Sequence, residues 1–177
     1  METFLGSFHP AVVHIPIGLL LVASLLEMAL FFVVSKRTQF EYTLMFMYVV
    51  GVLGALFALQ TGEALEHAPD FPRQVVEVHS FFASATTAVY AVLAGGYVYR
   101  VLARKSCWMN MIKKSTFVEH VWQYIGVLAT VVMNRWVRVV LALVACILLA
   151  MTGALGGAIA HGPDADMLTS FVYSLFF

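Results

Sequence analysis

The chain has 177 residues, 62% of them hydrophobic and only 11% charged, with a formal net charge of zero at neutral pH. A soluble domain of this length carries about a quarter charged residues, so the composition points to an integral membrane protein, and the even charge balance leaves no case for nucleic acid as a partner. Cys107 and Cys146 lie far apart and form no metal pair, no Cys-x-x-Cys-His haem attachment and no disulfide framework.

The first apolar run lacks a basic leader and a small-residue cleavage pattern, so it is expected to stay as a mature span rather than act as a signal peptide. Four stretches are long enough for ~30 Å of hydrocarbon at ~1.5 Å per residue. They lie near residues 10–34, 40–65, 76–102 and 137–160. The short connection after the first makes the first two antiparallel neighbours. Pro69 and Pro72 mark the 66–75 connection between the second and third.

Residues 103–136 read as an insertion. Within it 117–133 is apolar except for Glu119, His120 and Gln123, and a fifth span is conceivable. A cytoplasmic interfacial helix, or an inward extension of the last span, fits better, because Trp108, Trp122, Tyr124 and Trp136 suit a membrane interface. The expected architecture is therefore a single all-α transmembrane domain over 1–177: a four-helix bundle with that insertion, ending in an outer apolar tail at 167–177. Lys36, Arg37, Arg100, Arg104, Lys105, Lys113, Lys114, Arg135 and Arg138 fall at one side, leaving Arg73 at the other. The positive-inside rule then puts both termini and the 66–75 loop outside, which is the periplasm if the membrane is the inner membrane of a bacterium.

Five of the six histidines collect at that outer side: His9 and His14 open the first span, His67 follows the second, His79 begins the third and His161 closes the last. Imidazole is the commonest metal ligand, and ionisable groups at membrane depth are costly unless they serve a purpose. His9 and His14 are about 140° apart on a helix of ~3.6 residues per turn, so both cannot face the interior unless His9 lies outside the helix proper. Glu63 and His67, at i and i+4, share one helical face, which suits either a metal pair or a solvated carboxylate–imidazole contact. Gly153-x-x-x-Gly157 and Ala58-x-x-x-Gly62 are small-residue patterns that suit close helix packing. Thr61-Gly62 is echoed by Thr152-Gly153 near the outer ends of the second and fourth spans.

The opening Phe8-His9-Pro10-Ala-Val-Val-His14-Ile-Pro16-Ile-Gly resembles the start of an uncharacterised bacterial membrane family, domain of unknown function 2231. The resemblance continues through Thr61-Gly62, His79, Thr152-Gly153, Gly156-Gly157 and His161-Gly162, and covers most of the chain outside 103–136. It implies four spans and, because such proteins often accompany c-type cytochromes, a setting in electron transfer.

Three functional expectations follow. The first is a membrane electron-transfer subunit with haem b at the periplasmic side, passing electrons between quinol and a c-type cytochrome, within a larger respiratory or photosynthetic-type complex. His14 and His79 would be the axial ligands, with His67, His161 and His9 supporting them or serving a second haem. The second is a small-metal site for copper, iron or zinc, drawing on Glu63, His67, His79, His9 and His161. The third is a cofactor-free assembly subunit whose tail docks a partner. No nucleophile–base motif or phosphate loop marks a stand-alone enzyme.

Overall fold

A computed structural model describes residues 9–33, 37–66 and 72–177, and all regular structure among them is helical. The first span is formed by α1 (His9–Val12) and α2 (His14–Phe32), separated by a turn at Val13. Pro16 explains the break, since it has no N–H to offer the Val12 carbonyl four residues back. The ladder resumes when the Ile17 N–H donates to the Val13 carbonyl at 3.2 Å. α3 (Arg37–Glu66), α4 (Arg73–Leu102) and α7 (Arg135–His161) supply the other three spans.

These four segments are long and apolar enough to cross a membrane, and the chain is a multi-pass membrane protein. The first span and α4 each pack between α3 and α7, so the four form a square bundle with the first and third spans on a diagonal. Leu20, Leu44, Val52, Leu93, Ala142, Ala145 and Leu149 fill its centre, joined by the rings of Tyr48, Tyr90 and Tyr97. Leu53, Phe57, Val92 and Ile147 point outward, where lipid takes the place of water. Lipid tails are as apolar as leucine, so such a bundle is held by close packing and by interhelical polar contacts.

The 103–136 insertion folds as two separate helices, α5 (Ser106–Ile112) and α6 (Thr116–Val132). It is not an extension of the last span: the chain turns at Met133–Asn134, and Asn134 Oδ1 accepts the Trp136 N–H at 3.0 Å to start α7 afresh. α6 lies against α4, with Trp122 stacked on Tyr99 at a 4.5 Å centroid distance and Gly126 beneath the same tyrosine. Phe117, Tyr124 and Leu128 project from its opposite side.

After α7 the chain reverses at Gly162, whose φ of 94° lies in the region that only glycine adopts freely. α8 (Met167–Tyr173) then begins under an Asp166 cap. Asp166 accepts the Thr169 N–H at 2.9 Å and its hydroxyl at 2.7 Å, and these donors hold the carboxyl below the usual carboxylate range. The 167–177 tail was expected to offer an apolar surface to a partner. One face of it folds back instead: Val172 packs with Val75 and Leu155, and Phe176 meets Phe82 at 5.4 Å. Met167 and Phe171 remain exposed.

Candidate functional site

Two polar centres occupy opposite ends of the bundle. At the end carrying the start of the first span, two imidazoles enter the interior from different helices. His9 Nδ1 lies 2.9 Å from Thr61 Oγ1, and the Thr61 hydroxyl already donates to the Ala58 carbonyl at 2.9 Å. Thr61 must therefore accept from His9, which places the proton on Nδ1 and leaves Nε2 as the unprotonated nitrogen. His79 repeats the arrangement. Its Nδ1–H donates to the Thr152 backbone carbonyl at 3.0 Å, and a carbonyl can only accept. Both rings are thus held in one tautomer by a contact on the far nitrogen, as happens in metal-ligating histidines.

Glycines make room for them. A Cβ on Gly62 would stand 3.1 Å from His9 Cε1, and one on Gly156 would stand 3.2 Å from His79 Cε1. Gly62, one of the residues that suggested helix–helix contact, is therefore also a seat for an imidazole. Gly153, by contrast, has nothing within 4 Å of where a Cβ would be. The Thr-Gly echo also acquires a physical meaning: Thr61 receives one histidine through its hydroxyl, and Thr152 receives the other through its carbonyl.

The remaining expected ligands are dispersed. His14 stands on the exposed flank of α2, where its Nδ1–H is bound to the Pro10 carbonyl. Glu63 and His161 are exposed. His67 falls outside the described residues. Among the described residues no group of three or more histidine, cysteine, aspartate or glutamate side chains is placed to hold a metal ion.

The opposite end holds buried charges, among them the glutamates Glu27 and Glu41. Glu27 is 0% exposed and Arg138 2% exposed. Arg138 Nε lies 3.1 Å from Glu27 Oε1, and the Tyr97 hydroxyl donates to Glu27 Oε2. Arg138 had been counted with the loop charges; it belongs instead to the bundle interior, because the Glu27 carboxylate is there to neutralise it. A lone glutamate in an apolar span is expensive and needs a buried partner. That expense, and the arginine three residues into the last helix, were the available signals. Nearer the end, Glu41 is clasped by Arg100 at 2.7 Å and by Arg104. Arg135 caps the corner, 4.5 Å above the Phe31 ring.

Between the two ends runs a column of hydroxyls. The rings of Tyr97, Tyr48 and Tyr90 adjoin one another at centroid distances of 5.6 and 6.0 Å, and Tyr90 meets Ser24 Oγ at 2.9 Å. Thr86 continues it, donating to Thr152 Oγ1 at 3.1 Å, because the Thr152 hydroxyl is itself committed to the Leu148 carbonyl.

Comparison of the chain with protein-family models, with curated proteins and with solved structures returns no match.

Proposed function

We propose that the chain is a membrane electron-transfer subunit whose redox centre is ligated by imidazole at the histidine end of the bundle. The observation that carries this reading is the pair His9 and His79: two rings from separate spans, each anchored through a protonated Nδ1, which leaves Nε2 as the donor nitrogen. This donor set fits the axial chemistry of haem b iron. His79 would act with His9 rather than with His14, whose ring stands exposed on the outer flank of the first span. When bound, haem supplies reversible one-electron exchange. The chain's own part is to fix both imidazoles, to seat them against glycine, and to surround them with low-dielectric packing. The basic residues concentrated at the other end favour a periplasmic position for this site. Quinol and a c-type cytochrome are the partners that such a position suits.

The test is a reduced-minus-oxidised absorbance spectrum of the purified protein, with elemental analysis of the same sample. A b-type α-band that disappears in His79→Ala and His9→Ala, and survives in His14→Ala, is the expected result. A folded protein with neither a haem band nor bound metal would sink the reading and leave the cofactor-free assembly role. A second reading, a single copper, iron or zinc ion on the same two imidazoles, draws support from the close glycine contacts, which leave the rings little freedom to part around a macrocycle. Bound metal without porphyrin would select it.

A further inference from the structure

One face of α4 carries His79, Thr86, Tyr90, Tyr97, Arg100 and Arg104, spaced by seven, four, seven, three and four residues. Steps of three, four and seven return to the same side of a helix. All six meet a polar group on another span: the Thr152 carbonyl, the Thr152 hydroxyl, Ser24, Glu27 and, for both arginines, Glu41. A few such contacts suffice to glue helices together in lipid. Here they run nearly the whole length of the bundle.

Tyr48 is the part that packing does not explain. It is 0% exposed, its ring lies between those of Tyr90 and Tyr97, and among the described residues no group meets hydrogen-bond geometry with its hydroxyl. Phenylalanine would fill the same space without stranding a polar group. A hydroxyl left unlocked between two hydrogen-bonded pairs, Ser24–Tyr90 and Tyr97–Glu27, is what a relay needs, because it can turn to accept from one side and donate to the other. A second feature supports passage at the arginine end. A cavity of about 10 Å³, close to the room one water needs, is lined by Thr38, Glu41, Tyr97 and Arg100. It joins the outermost ion pair to the first tyrosine of the column.

We infer that the bundle interior is a proton-conducting path, running from Glu41 and Arg100 through Glu27 and the three tyrosines to the hydroxyls of Thr86 and Thr152. Glu27 is the carboxylate that takes up the proton. Tyr97, Tyr48 and Tyr90 hand it on, with Ser24 beside Tyr90, and the Thr86–Thr152 hydroxyl pair receives it. Each hop breaks one O–H bond and forms another, so every group returns to its starting composition and no electron moves. The path needs no bound cofactor and stands apart from the electron-transfer reading.

The experiment uses the full chain in vesicles of phosphatidylcholine and phosphatidylglycerol, loaded with a pH-sensitive dye and driven by a valinomycin potassium potential, with no redox partner present. Proton flux above that of empty vesicles is expected for the native chain. Tyr48→Phe should lower it about tenfold, the order expected when one relay hydrogen bond leaves the slowest hop, while thermal stability is unchanged or higher. Glu27→Gln should abolish flux, and where that variant does not fold, Tyr48→Phe decides. Native flux no greater than empty vesicles, or full flux in Tyr48→Phe, overturns the inference. Because no haem or metal is involved in the readout, its failure is separable from failure of the spectroscopic test.

Discussion

The two ends of this bundle solve the same problem in opposite ways. At the arginine end, polar side chains buried in an apolar bundle are balanced by charge: Glu27 against Arg138, Glu41 against Arg100 and Arg104. At the histidine end they are balanced by neutral groups: a threonine hydroxyl for His9 and a backbone carbonyl for His79. Charge pairs consume the bonding capacity of both partners. Neutral anchoring uses Nδ1 of each imidazole and leaves Nε2 as the unprotonated nitrogen. The first arrangement suits holding helices together, and the second suits binding something.

The comparison is broken most directly at Glu27 and Arg138. Arg138→Met leaves a buried carboxylate without its countercharge and should destabilise the bundle by about 3–5 kcal/mol. Thermal unfolding in detergent measures it. Adding Glu27→Leu to that variant should recover much of the loss, since replacing both charges by apolar groups of similar volume is close to neutral. A double variant as unstable as the single one would mean that the pair is not the source of the effect.

Gly156→Ala sharpens the other side. Its Cβ would press on His79 Cε1 at 3.2 Å, and relieving that contact should cost about 1–3 kcal/mol while turning the ring off Thr152. The decisive readout is cofactor or metal content, which should fall by more than the stability loss alone explains. Thr61→Val is smaller again. It removes the acceptor that fixes the His9 tautomer and should cost about 1 kcal/mol, with a larger effect on ligand content than on melting temperature.

The smallest effect expected is at the C-terminal helix. Asp166 has its carboxyl held below the usual range by Thr169, so its stabilisation of α8 is present at neutral pH and is lost as pH falls through that lowered value. Hydrogen exchange over 167–173 should accelerate in acid, and should do so at neutral pH in Asp166→Ala. The bundle itself should not respond, and a global loss of protection would show that α8 is integral to the fold and not an appendage.

The membrane class and the positions of the spans were legible residue by residue. The first span was expected near 10–34 and occupies His9–Phe32, while the last was expected near 137–160 and occupies Arg135–His161. Apolar length is a local property, and a membrane reads it locally. That His9 and His14 would not face the same way followed from helical period if both lay in one helix, but which of them enters the interior did not. The Tyr97, Arg100 and Arg104 stripe on α4 was present in the spacing, but a stripe of mixed tyrosine and arginine at a span end also describes an interfacial belt. Arg138 was misplaced for a related reason: a charge beside a span end looks like a loop charge until its partner is known.

Taken alone, the amino-acid order determined that the chain lives in a membrane, that it crosses four times, and that imidazoles gather at one end of those crossings. Hydropathy and periodicity are sums over neighbours in the chain, so no tertiary contact is required to read them. Which histidines share the interior, which nitrogen each leaves unprotonated, and which glutamate neutralises which arginine were decided only when four helices closed into a square. Those are facts about residues 52 to 111 positions apart, from His9 and Thr61 to Glu27 and Arg138, and only packing brings them within hydrogen-bond distance.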